Sequence, residues 1–259
     1  MAKRVQVRIG DVFCAEIDGA FKCYFQYVAK DMSMLGGQVI RVFDTHYPMD
    51  YEPVIDDIVK DKVAFYSHTL IRFGLIYDAW YKIGNSKCVG ADELNELIFG
   101  GVRSMETDLE NSRIVALNPL ENWYVWKINQ TKMMIGKLPA LYADIIIPGI
   151  VFSFVEILNR IKYGYYRYTN SMYSVLKRHP RADVDSFVRT EEDGVARYYH
   201  FKGEYAVREV VVTDGVVTRL SLESPSRNGF SLRRDCFGET NWRHDEFITD
   251  TDFEAVWGG

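Results

Sequence analysis

Five histidines, four cysteines and thirty-six carboxylates give this 259-residue chain the raw material for catalysis or metal binding, so their spacing is the first constraint on what it can do. His46, His68, His179, His200 and His244 include no pair at i, i+2 or i, i+4, the spacings that aim two imidazoles at one metal from a strand or a helix. His244-Asp245-Glu246 places three ligand types side by side, but consecutive helical side chains point about 100° apart, so the expectation is a solvated turn. His68, in Phe-Tyr-Ser-His-Thr, reads as a histidine hydrogen-bonded within a sheet rather than a general base. Cys14 and Cys23 sit where they would face one another across a first hairpin, as two small buried residues without the basic neighbour a reactive thiolate needs. Phosphate loops, dinucleotide fingerprints, nucleophile elbows and H-E-x-x-H are all absent from the sequence. No cofactor is expected.

Charge is organised more strongly than catalytic residues are. Asp44, Asp50, Glu52, Asp56, Asp57 and Asp61 fall within eighteen residues that hold Lys60 as their only cation. Asp50, Glu52, Asp56, Asp57 and Asp61 are therefore candidates for steering a basic protein partner. A second acidic run, Asp235 to Glu254, closes the chain. Residues 157–182 are the reverse, with Arg160, Lys162, Arg167, Lys177, Arg178 and Arg181, no acid, and five interleaved tyrosines. Cations that meet phosphates beside rings that stack bases suit single-stranded nucleic acid, with Arg160, Lys162, Arg167, Lys177 and Arg178 as the contacts. The net charge of −5 weighs against that use and leaves it as the alternative.

These groups must be positioned by strands. Aromatic residues are abundant, with 17 Tyr and 15 Phe, and flat side chains fit a pleated surface. Val5, Val7 and Ile9 alternate with polar residues; Asp18-Gly19 marks a hairpin turn between Val12–Ile17 and Phe21–Val28; Gln38–Phe43, Val63–Phe73, Trp80–Ile83 and Trp123–Ile128 read as further strands. Pro53–Lys60 and Asp92–Phe99 have short helical character, and Glu106–Pro119 reads as a loop. Ser153 and Glu156 form a capping box for a helix over Phe154–Tyr163, which Gly164 stops. Beyond His179–Asp183, Asp193-Gly194, Lys202-Gly203 and Asp214-Gly215 separate β-rich runs into a meander, and Thr249 caps a closing helix. The expectation is a strand-rich α+β protein, with a mostly-β part over 1–180 and a β-meander plus helix over 184–259. The N-terminus has no apolar stretch typical of a secretory signal, Ile145–Leu158 is too short and interrupted to span a bilayer, and no C-x-x-C occurs. A cytoplasmic protein with reduced thiols and no membrane partner is expected.

Gly10-Asp11-Val12-Phe13, Tyr24-Phe25-Gln26-Tyr27-Val28, Val39–Phe43, Phe65-Tyr66-Ser67-His68-Thr69 and Trp80–Gly84 together resemble the bacterial polymorphic-toxin immunity protein 26 family over roughly the first half of the chain. Ala206–Val210, Asp214-Gly215, Ile248-Thr249, Phe253-Glu254 and Trp257 resemble a small bacterial domain of unknown function. The resemblance implies a mostly-β, non-enzymatic protein that binds a cognate protein toxin stoichiometrically. A phosphotriesterase activity is also linked to that family by name; no paired metal-binding histidines support it here, and a phosphotriesterase-like hydrolase without a visible motif stands as the further alternative.

Overall fold

A computed structural model describes residues 6–108, 113–118, 120–166 and 181–259. Its elements run β1 (Asp11–Ile17), β2 (Phe21–Asp31), β3 (Gly37–Phe43), α1 (Ile55–Ile58), β4 (Val63–Thr69), α2 (Ile71–Ile76), β5 (Tyr81–Asn85), α3 (Ala91–Glu96), β6 (Phe99–Val102), β7 (Met105–Asp108), β8 (Arg113–Ala116), β9 (Trp123–Trp126), β10 (Met133–Gly136), α4 (Ala140–Ile145), β11 (Ile147–Pro148), β12 (Val151–Phe152), α5 (Phe154–Tyr163), β13 (Asp185–Glu192), β14 (Val195–Lys202), β15 (Tyr205–Thr213), β16 (Val216–Ser221), β17 (Ser226–Arg227), β18 (Phe230–Ser231) and α6 (Asp250–Gly258). The protein is strand-rich α+β. Its residues divide into two compact units that interleave along the chain: 1–101, 125–133 and 145–167 in the first, and 102–124, 134–144 and 168–259 in the second. His179 and Pro180, at the boundary expected from the sequence, lie outside the described residues.

The first unit is built on a six-stranded sheet in the order β12-β4-β3-β2-β1-β5. All neighbours are antiparallel except β12, which runs parallel to β4. Strand alternation loads both faces. Phe13, Ala15, Cys23, Phe25, Ile40 and Val42 point to one side, where Ile157 and Ile161 of α5 and Ile71 of α2 cover them. Val12, Cys14, Tyr24 and Phe43 point to the other, beneath Ile58 and Val59. Cys14 and Cys23 therefore do not face one another. Cys14 pairs with Tyr24, and Cys23 with Ala15. A one-residue offset in register sends the two thiols to opposite faces.

Local signals explain most elements. Asp18 and Gly19 both take positive φ, at 50° and 68°, and turn β1 into β2. Ser153 accepts the Glu156 N–H, and Gly164 ends α5 in the left-handed region at φ 81°. Three expectations are corrected. Gln6 to Gly10 forms no strand, because the chain turns at Ile9 and Gly10 before entering β1. The strand expected over Val63–Phe73 stops at Thr69, since Ile71, Gly74 and Leu75 fall at helical spacing and turn inward as α2. The Glu106–Pro119 region contains the antiparallel strand pair β7–β8, paired Met105↔Ala116 and Thr107↔Ile114. A two-stranded ribbon without a deep core does not need the apolar run that marks a buried strand.

The second unit carries the meander β13-β14-β15-β16. Asp193-Gly194 and Asp214-Gly215 form its two-residue turns, with all four residues at positive φ. Val188, Tyr199, Phe201, Val211 and Leu220 form its core with Leu232 and Phe237. Thr249 caps α6, accepting the Asp252 N–H while Asp252 accepts the Thr249 N–H. Phe253 is fully buried against Phe187 and His200. Arg208 Nε donates to His200 Nδ1 at 3.0 Å, so Nε2 carries the imidazole proton and faces Asp185 at 2.6 Å.

Candidate functional site: an anchored acidic segment and a buried polar hub

The acidic segment leaves the sheet after β3 and returns at β4, so both of its ends are fixed. Lys22 and Tyr47 exchange backbone hydrogen bonds of 2.7 and 2.8 Å, and Lys22 Nζ donates to the Tyr51 carbonyl at 3.2 Å. Tyr47 and Tyr51 lie 4.4 Å apart and both meet Tyr24 edge-on. Ile58 and Val59 anchor α1 in the core. Six carboxylates are thus held on a stiff loop, and they divide into two groups.

Asp44 pairs with Lys62 at 2.9 Å. Asp61 accepts from the Thr45 N–H at 3.3 Å, the Lys62 N–H at 2.8 Å and the Tyr47 hydroxyl at 3.4 Å. Burial, with the Asp61 charge beside it, pushes the Tyr47 phenol up to about 12. Asp50, Glu52, Asp56 and Asp57 are exposed and have no cationic partner among the described residues. These four exposed carboxylates form an acidic ridge along the anchored loop, with Val54, 51% exposed, lying between Glu52 and Asp56 in the chain. Asp61, grouped with the ridge from the sequence, spends its oxygens on holding the loop.

The closing acidic run differs. Glu254 pairs with Arg208, Asp235 with Arg233, and Asp245 and Glu246 with Arg243. Asp252 and Glu239 cap helical turns. Spacing in sequence shows that acids cluster, but not which cations lie across the fold.

Within the basic stretch, Arg160 and Lys162 lie on α5. Lys162 pairs with Asp18 at 2.5 Å, while the Arg160 guanidinium lies 4.0 Å from the Phe65 ring centre and 4.5 Å from that of Tyr166. Tyr166 is buried, stacked on Phe152, and donates to Ser67. Arg167, Lys177 and Arg178 lie outside the described residues.

The first unit also holds a polar cluster in its interior that the sequence did not reveal. Asp31, at the end of β2, is fully buried and accepts four hydrogen bonds. Its Oδ1 takes the N–H groups of Ser33 and Asn129 at 2.9 and 3.0 Å; its Oδ2 takes Trp126 Nε1 at 2.9 Å and faces His68 Nε2 at 3.0 Å. Burial pushes the Asp31 carboxyl up, but these hydrogen bonds outweigh it and hold the group below its ordinary range. Burial pushes His68 down, with Asp31 opposing. His68 is thus neutral at pH 7, and its Nδ1 has no hydrogen-bond partner among the described residues. Being sealed from solvent, the hub serves to fix the 126–130 loop against the β2 end; Met32 N–H to Asn129 Oδ1 at 2.7 Å and Ser33 Oγ to the Gln130 carbonyl at 2.7 Å complete the clasp.

Among the described residues no group of three metal-ligating side chains occurs, and no helix is long and apolar enough to cross a membrane. No protein-family model matches the sequence, and neither the curated proteins nor the solved structures provide a match.

Proposed function

We propose that this chain is a stoichiometric binding protein of the immunity type, which neutralises a cognate bacterial toxin by docking on a basic surface of that toxin and performs no turnover. The observation that carries this reading is the ridge of Asp50, Glu52, Asp56 and Asp57. Four carboxylates without cationic partners among the described residues sit on a loop whose ends and tyrosines are fixed. A stiff loop loses little conformational freedom on binding, so a larger share of its interaction energy appears as affinity. Clustered like charge adds long-range attraction, which accelerates association with an oppositely charged face. Val54, between Glu52 and Asp56 in the chain, supplies exposed apolar contact. The resemblance of the β1–β5 sequences to immunity protein 26 gives the partner its class.

The test requires a large secreted toxin encoded beside this gene, whose isolated toxic domain is the probe. Reversing Asp50, Glu52, Asp56 and Asp57 to Lys is expected to slow association by about 10–100-fold at low salt. Wild-type association should fall steeply with ionic strength, and the variant should lose that dependence. The fold should survive, because the four carboxylates are exposed and hold no ion pair among the described residues. Equal association rates for wild type and variant would refute the interface.

A further inference from the structure

A cavity of about 330 Å³ opens in the first unit beside α5 and the β3–β4 end of the sheet. Its size falls within the roughly 300–1,000 Å³ of small-molecule sites. Phe65 and Ile161 provide apolar wall; Arg160, Lys162 and His46 bring basic groups; and Asp44 is the one acid among the described lining residues. The charges do not cancel equally. Asp44 is held by Lys62 at 2.9 Å, and Lys162 by Asp18 at 2.5 Å. His46 stacks on Phe21 with ring centres 4.0 Å apart. Arg160 has no carboxylate partner among the described residues, and its contacts are the faces of Phe65 and Tyr166. Stacking fixes the plane of a guanidinium and uses none of its N–H groups, so the fork stays available to an oxyanion.

We infer that this cavity binds a small organic anion, with a phosphate or carboxylate head on Arg160 and an apolar body against Phe65 and Ile161. Two features separate this arrangement from an ordinary surface arginine. The guanidinium is immobilised before any ligand arrives, and the concavity beside it is large enough for a body of about ten to fifteen heavy atoms. The site is independent of the acidic ridge and does not rest on the toxin-binding reading.

Phenyl phosphate, inorganic phosphate and phenol serve as probes on the full chain, followed by amide chemical shifts and by thermal unfolding. Phenyl phosphate is expected to bind saturably, shifting amides at 43–46, 64–65 and 160–164. Inorganic phosphate and phenol should each bind at least about tenfold more weakly, since each lacks one half of the recognised chemistry. Arg160→Met should cost at least about tenfold in phenyl phosphate affinity. Ala64→Phe fills the cavity from an exposed strand position without touching the cation, and should abolish binding even if the Arg160 variant folds poorly. Unchanged affinity in either folded variant, non-saturating shifts, or shifts confined to other parts of the protein would overturn the inference.

Discussion

Replacing Asp31 by Asn changes one oxygen into an NH2 group and removes one charge, with almost no change in volume. The carboxylate accepts four donors, two on each oxygen. An Asn at this site keeps its single carbonyl where Ser33 and Asn129 donate, because both are fixed backbone groups. Its NH2 then points at Trp126 Nε1–H, which can only donate. His68 escapes the same conflict by moving its proton to Nδ1, but Nδ1 has no partner among the described residues. One indole N–H is left buried and unsatisfied, at about 1–3 kcal/mol, and the two surviving bonds lose their charge assistance. Relief from burying a charge offsets part of this, leaving a net loss of about 3 kcal/mol. With a urea dependence of about 2–3 kcal/mol per molar, the unfolding midpoint should fall by roughly 1 M. Trp126 lies in the hub, so fluorescence reports the same region. A midpoint shift below about 0.3 M, equivalent to less than about 1 kcal/mol, would show that the four hydrogen bonds do not hold the loop.

Acid should unfold the protein in two stages. His68 and His200 both have folded pKa values depressed by burial, so each favours the neutral ring in the folded state. Their contribution is complete above the unfolded value of about 6.5 and declines as pH falls below it. Asp31, also depressed, contributes above about 3.9 and is lost as pH falls further through its folded value. Urea midpoints between pH 7 and 5 should therefore decrease, and a His68→Gln, His200→Gln double variant should flatten that slope; an unaltered slope would place the titration elsewhere. Gly74→Ala brings a Cβ to 2.0 Å from the Trp80 ring, which is itself fixed by its Nε1 bond to the Ile71 carbonyl. Overpacking of this kind should cost about 3 kcal/mol in chemical denaturation, and a loss under about 1 kcal/mol would mean that Trp80 has room to move.

What the sequence made legible was governed by short range. The capped α5 and α6 and the Asp-Gly turns of the meander depend on residues a few positions apart, and each formed where those residues stand. The acidic loop was visible as composition, yet its division into an unpaired ridge and a tied Asp44 and Asp61 depends on Lys62, Thr45 and Tyr47 in three dimensions. The opposite facing of Cys14 and Cys23 turned on one residue of register, which pattern alone leaves undetermined. Leu70 to Ile76 reads as apolar in either period, and Trp80 packing against Gly74 favours the helix. Asp31 carried no local sign at all. Its partners Trp126 and Asn129 are 95 and 98 positions away.

That separation has a consequence for synthesis on the ribosome. Strands β1 to β4 pair mainly with their immediate neighbours, and such local contacts form early. Trp126 and Asn129 emerge much later, after a delay of about 5–20 s at ordinary elongation rates of roughly 5–20 residues per second. Until then Asp31 has Ser33, joined by His68 only once that residue has emerged 37 positions later, and must keep its remaining lone pairs in water. The β2 end therefore stays hydrated until the 126–130 loop closes over it. A nascent chain stalled before residue 126 should expose this edge to chaperones and proteases, while one stalled a few tens of residues beyond should not.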